Sequence, residues 1–98
     1  MKNHTKIYMK HFAYYEQDFI PCEVCGSRAV DIHHINARGM GGVSKNRLDV
    51  IENLQALCRY CHTKYGDSSS YYDLLVKKHA IKLKMDINTL TEKLKSLW

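Results

Sequence analysis

The chain has 98 residues, of which 45% are hydrophobic and 26% charged, and a formal net charge of +5. That is one small domain, too short for a doubly wound α/β fold with a substrate domain and too average in composition for a disordered tail. No apolar run approaches the ~20 residues that cross a bilayer, and residues 1–6 lack the apolar stretch of a secretory leader, so the expectation is a soluble protein without membrane contact.

In chain order, residues 5–15 are aromatic-rich and fit a short helix or a strand. Ile20-Pro21 leads into Cys22-x-x-Cys25, with Gly26 permitting the turn. The β-formers of 29–35, with Val30 and Ile32 two apart, predict a strand. Residues 36–45 hold Gly39, Gly41 and Gly42 and predict a loop. Residues 48–57 contain a short second strand that approaches Cys58-x-x-Cys61. A helix is expected from Arg59 to about Lys64 or Tyr65, stopped by Gly66. Residues 67–70 (Asp-Ser-Ser-Ser) predict a hinge that also caps a second helix from Tyr71 to about Lys84. Residues 86–98 predict a last short helix with Ile87, Leu90, Leu94 and Leu97 on one stripe and Thr89 with Glu92 as a capping box. The stripe is expected to pack on the domain or to pair two chains, so a monomer and a homodimer both stay open. The positive charge is concentrated here: beyond residue 73, six Lys face only Asp86 and Glu92, whereas basic and acidic residues balance over 21–73.

The cysteines form two pairs with two residues between the members of each. Two such knuckles can bring four sulfurs to one ion at ~2.3 Å, the closed tetrahedron of a structural zinc site. The competing disulfide framework lacks the secretory setting that favours it. In so short a chain the metal would supply much of the folding free energy.

Histidine placement is the second clue. His4, His11 and His79 show no partner pattern and read as surface or packing residues. His33 and His34 are adjacent on the predicted strand, so their rings point to opposite faces, which suits one imidazole on a metal and the other on a water. His62 directly follows Cys61, so the knuckle fixes its position, in the first turn of a helix facing the strand. Asp31, two residues before His33, shares that residue's face and can brace a liganding imidazole.

The ordered set is Cys22-Glu-Val-Cys25-Gly26, Asp31-Ile-His33-His34-Ile35, Gly39-Met-Gly-Gly42, Glu52-Asn53-Leu-Gln-Ala-Leu-Cys58 and Cys61-His62-Thr-Lys64. It closely resembles the HNH endonucleases, in the branch whose ββα-metal (His-Me finger) motif is braced by a four-cysteine zinc. The resemblance covers about residues 20–66, and the Tyr-rich start and Lys-rich end are similar, more loosely, to small stand-alone phage or prophage members. It implies a small α+β fold, with a zinc-knuckled hairpin, one helix across it and C-terminal helices. The implied organisation is a nuclease core with an N-terminal extension over 1–66 and a Lys-rich helical extension over 67–98, packed on the core. The implied localisation is the cytoplasm of a bacterial or phage-infected cell.

The same resemblance implies the roles. His34 is the general base, His33 and His62 hold one divalent ion, Asn53 holds strand and loop and orients the base, and Cys22, Cys25, Cys58 and Cys61 bind the structural zinc. The roles of His33 and His34 could be exchanged. Such a centre hydrolyses phosphodiester bonds of DNA, because a neutral imidazole takes a proton from water near pH 7 and an ion with open positions stabilises charge on the phosphate. Two imidazoles do not choose sharply among Mg, Mn, Ni and Zn. Arg38, Lys45 and Arg47 flank the glycine-rich loop and Lys64 follows His62, so these four are the candidate phosphate contacts. The competing functional reading is a catalytically silent, zinc-braced module that binds DNA or protein.

Overall fold

The computed structural model describes residues 1–36, 45–66 and 68–97. The expected loop therefore lies almost wholly outside the described residues, with Arg38 and Gly39 to Gly42, and so do Asp67 and Trp98. The architecture is α+β. Helix α1 (Asn3–His11) precedes strand β1 (Asp31–His34), one helical turn α2 (Lys45–Leu48), a 3₁₀ turn at Ile51–Asn53 and strand β2 (Leu54–Leu57). The short helix α3 (Arg59–Cys61) runs into a wide, π-type turn at His62–Gly66; α4 (Tyr72–Leu83) and α5 (Ile87–Lys95) complete the chain.

The two strands pair antiparallel, with Asp31 opposite Leu57, His33 opposite Gln55 and His34 opposite Leu54. Strand alternation sets up everything that follows. Ile32 and His34 turn toward α1, where Ile32 joins Tyr8, Leu54 and Ala56 in one apolar cluster. Asp31 and His33 turn toward the segment after the second knuckle. A second cluster, Cys22, Leu57, Cys61 and Leu75, lies under the cysteines. A third joins Ile35 and Leu48 to Val76, Ala80, Leu90, Leu94 and Leu97, so α4 and α5 close over the end of β1. Three of the four stripe residues of α5 are thus spent inside the molecule, and Ile87 stays 41% exposed.

Several boundaries differ from expectation. The ambiguous segment 5–15 is helical over its first half, as α1, which begins at Asn3. The first strand is shorter than 29–35, because Ala29 and Val30 bond singly to Ile20 and Leu57 outside the ladder. Residues 45–48 form a helical turn where loop and strand were expected. The cap of α5 is Asp86, whose Oδ2 accepts from the backbone N–H groups of Asn88 and Thr89; a carboxylate at that position satisfies orphan donors more directly than the Thr89–Glu92 box. Ser68 accepts from the N–H of Ser70 in the turn that leads into α4, while Tyr71 precedes that helix with no side-chain cap. Among the described residues, no helix is long and apolar enough to cross a membrane.

One buried network ties these pieces together. The Glu23 carboxylate, inside the first knuckle, accepts from Tyr8 of α1 at 2.6 Å and bonds His79 of α4 at 2.8 Å. His79 also bonds the carbonyl of Ile51 with its other nitrogen. Burial, followed by the carboxylate beside it, pushes the Tyr8 hydroxyl far up, so it stays a donor. His79 was expected on the surface or in packing; it is fully buried and packed, but as a bonded member of this latch.

Candidate metal and hydrolytic centre

The first knuckle is a tight loop in which Cys22 N–H donates to Ser27 and Gly26 N–H donates back to Cys22; Gly26 has φ +82, which a side chain would strain. It docks on β2 through Glu23 N–H to the Ala56 carbonyl at 2.9 Å. In the second knuckle, the sulfur of Cys58 accepts from the N–H of Cys61 and so caps α3. The four cysteines are unbridged, and their sulfurs lie within 4.8 Å of one another. Four sulfurs at ~2.3 Å from one ion sit about 3.8 Å apart, and the Cys25–Cys58 separation is 3.7 Å. Bonding to Ser27 brings the exposed Cys25 thiol down to about 6, already thiolate-prone, while burial pushes Cys61 up. A bound cation compensates the burial of such a thiolate. The donor set therefore fits a zinc ion.

The histidines separate into two groups across β1. On one side the rings of His33 and His62 meet edge to face, their centroids 4.9 Å apart. Asp31 bonds His62 Nδ1 at 2.9 Å and also takes two bonds from Arg59, at 3.0 and 3.2 Å. Burial opposes ionisation at Asp31, but the bonds from His62 and Arg59, with the guanidinium charge, outweigh it and hold the carboxyl below its usual range. An ionised carboxylate only accepts, so His62 Nδ1 donates to it and Nε2 is left as the nitrogen that could hold a metal ion, the arrangement of a braced ligand. Gly66 permits the close approach of both rings: a Cβ there would stand 2.7 Å from Cδ2 of His62 and 3.2 Å from Cε1 of His33. The Gly66 expected as a helix stop is also the floor of this imidazole pair.

On the other side, His34 is only 9% exposed. Its Nε2 lies 2.7 Å from Oδ1 of Asp49, whose other oxygen accepts from the Asn3 amide at 3.2 Å. The buried ring of His4, on α1, packs edge-on against it with centroids 4.6 Å apart. Ligand atoms of His4, His34 and Asp49 also lie within 4.8 Å of one another.

Asn53 is fully buried and joins the ends of these groups without using charge. Its Oδ1 accepts from the Asn36 N–H at 2.6 Å, and its Nδ2 donates to the carbonyls of Asn36 and Leu48. It thus clamps the chain two residues past His34 to the chain one residue before Asp49. Asn36 in turn donates to the Leu94 carbonyl and accepts from the Tyr72 hydroxyl, which ties the clamp to α5 and α4.

The candidate phosphate contacts divide as well. Lys64 is exposed beside Tyr60 and Tyr65, two residues from His62; the bond it donates to the Tyr60 hydroxyl raises its already high pKa. Arg47 donates to the carbonyl of Ser96 at 3.0 Å, at the end of α5. Arg38 and the side chain of Lys45 lie outside the described residues. Sequence reasoning did not single out Asp49; His4, read as a surface or packing residue, is buried and packs on His34. The available signal for His4 was its i, i+4 spacing to Tyr8, which places both on the inward face once α1 is known to start at Asn3.

Residues 22–68 match the family model of the HNH endonucleases. This segment is an HNH domain. Its cysteines, His33, His34, Asn53 and His62 all lie inside the matched span, whereas His4 and α1 lie before it and α4 and α5 after it. HNH domains are nuclease-type domains that act on DNA and use divalent metals. No curated protein and no solved structure matches the chain.

Proposed function

We propose that this protein is a metal-dependent endonuclease that hydrolyses phosphodiester bonds of DNA. The supporting observation is the His33–His62 pair: two imidazoles 29 positions apart, brought side by side over Gly66 inside an HNH domain, one of them braced by Asp31. His33 and His62 hold one divalent ion (Mg, Mn, Ni or Zn), and Cys22, Cys25, Cys58 and Cys61 hold a structural zinc that fixes His62. When bound, the catalytic ion supplies a Lewis acid for the phosphate oxygens and the leaving 3′-oxygen. His34 takes the proton of the attacking water as its oxygen bonds to phosphorus and the bond to the 3′-oxygen breaks. Asn53 holds the end of β1 against Leu48 so that base and ligands keep their places. DNA lies across that end of β1, with Lys64 on its phosphates.

One observation favours a second reading, a zinc-braced module that binds DNA or protein without cutting: the ring of His34 is 91% covered (9% exposed), mostly by its own neighbours. Plasmid assays across Mg, Mn, Ni and Zn separate the two. The nuclease reading expects nicked or linear plasmid with wild type, and His34→Ala that still shifts plasmid mobility but does not nick. Wild-type protein that shifts the plasmid and leaves it supercoiled with all four ions establishes the second.

A further inference from the structure

We propose that Tyr60 is a stacking platform for an unpaired base, so that the DNA favoured at this site is DNA with unpaired nucleotides. This rests on the reading of DNA as the ligand. Tyr60 is one of the two residues enclosed by the second knuckle, Cys58-Arg59-Tyr60-Cys61. Its neighbour on one side, Arg59, is tied down by two bonds to Asp31, and its neighbour on the other, Cys61, is buried. Tyr60 itself is 66% exposed. A large ring held out to solvent on a turn fixed at both ends loses little freedom when a second ring stacks on it. His62, braced by Asp31, stands two residues on, so the ring and the candidate ion ligand belong to the same short stretch of chain.

The surroundings of the ring indicate what it takes. Lys64 donates to the Tyr60 hydroxyl at 3.3 Å, while its ammonium lies 5.5 Å from the ring centre. Those two distances put the cation off the hydroxyl end, where it does not cover the faces of the ring. On its other side the ammonium lies 5.3 Å from the centre of the Tyr65 ring. Tyr65 is partly buried on the cysteine cluster and meets Tyr71 edge to face at 4.8 Å, and it directly precedes Gly66, the floor of the imidazole pair. Asp31 is engaged by Arg59 and His62, so its charge is balanced within the same group. A flat open face bordered by one fixed cation matches a nucleotide, which offers a flat base and a phosphate. A base in a duplex is already stacked on both faces, so only an unpaired one can use the ring. Tyr15 is as exposed, at 72%, but lies outside the HNH segment and lacks this setting, which makes it the control.

The test uses the full chain with one equivalent of zinc for the cysteine site and no other divalent ion, so that binding is read without cutting. Fluorescence anisotropy follows three labelled probes: an oligothymidine strand, an abasic strand of the same length, and a matched duplex. The first two carry the same phosphate charge and differ only in their base faces. Wild type is expected to bind the oligothymidine about tenfold or more tighter than the abasic strand. Tyr60→Leu is expected to erase that difference while leaving abasic and duplex affinities as they are. Tyr60→Phe is expected to keep it to within about threefold, and Tyr15→Leu to leave it unchanged. Lys64→Ala is expected to weaken all three probes together and to lower the salt slope by about one. Wild type that does not distinguish the first two probes overturns the proposal. So does a Tyr60→Leu protein that keeps the wild-type preference, or one that loses duplex binding in equal measure. Where Tyr60→Leu melts below wild type, cross-linking decides without a variant: an iodouracil-substituted strand irradiated on the wild-type chain is expected to attach to Tyr60, and attachment only elsewhere overturns the proposal. The nuclease reading fails separately, when the base preference holds but no probe is cut after Mg, Mn, Ni or more Zn is added.

Discussion

The two sides of strand β1 carry adjacent histidines in opposite circumstances. On the side of α3, His33 and His62 are half-buried, face each other over a glycine and lean on a carboxylate shared with the exposed Arg59. On the side of α1, His34 is buried and bonded to a carboxylate that is itself buried. The first setting suits an ion, which needs open positions and ligands whose other nitrogen is held. The second suits a proton, which needs one nitrogen fixed and little else. A one-residue step along a strand is enough to separate the two jobs, because consecutive side chains face opposite ways.

Removing the structural metal should produce the largest effect, since both sides hang on it. The first knuckle reaches β2 and α1 through Glu23, and the second carries His62. Chelation, or Cys58→Ser, is expected to abolish the cooperative melting transition and the folded circular dichroism spectrum, with zinc restoring them in the wild type alone. An unchanged melting curve after zinc removal, verified by metal analysis, would show that the cysteines do not brace the fold.

Next in size is Asp31→Asn, which acts on one side only. It is expected to weaken binding of the catalytic ion by about 10- to 100-fold while leaving the contact between His34 and Asp49 as it is. Its pH signature has a definite sign. The carboxyl of Asp31 is held below its usual range, so its stabilising effect is present above ~4, the ordinary carboxylate value, and fades as pH falls through the lower folded value. The melting temperatures of wild type and Asp31→Asn should therefore converge toward acid; a gap that stays constant from pH 7 to 3 would show that the charge of Asp31 contributes nothing.

Gly66→Ala is expected to be smaller and equally one-sided. The new methyl meets His62 Cδ2 at 2.7 Å, so the ring must turn aside. Metal affinity should drop about tenfold with the melting temperature within a few degrees of wild type. Unaltered metal affinity would mean that the two imidazoles do not need their close approach.

The side of the molecule that was legible in the sequence is the one built from short spacings. The knuckles, the strand carrying the His pair, and a histidine placed by the cysteine before it are all local patterns; the structure brings the four sulfurs together and sets His33 beside His62, though the strand is shorter than 29–35 and His62 lies just past the short helix α3. The other side depends on docking between segments far apart. His4 meets His34 only because α1 packs on β1, and nothing in residues 5–15 distinguished a helix from a strand. Asp49 sits in a stretch read as part of a strand, where a carboxylate looks like an exposed charge; the turn α2 and the clamp by Asn53 turn it inward. The cap at Asp86 was missed for a simpler reason, that two plausible capping residues lie three apart and only geometry chooses between them.

Metal titration of single variants decides most directly whether the two sides hold different jobs. With zinc in the cysteine site, Mn²⁺ binding is measured calorimetrically for wild type, His34→Ala and His62→Ala. His34→Ala is expected to bind Mn²⁺ with wild-type affinity and stoichiometry while failing to nick plasmid, and His62→Ala to lose binding and nicking together. Loss of Mn²⁺ binding in His34→Ala, with His62→Ala binding as wild type does, would contradict the division and place the ion on the side of α1.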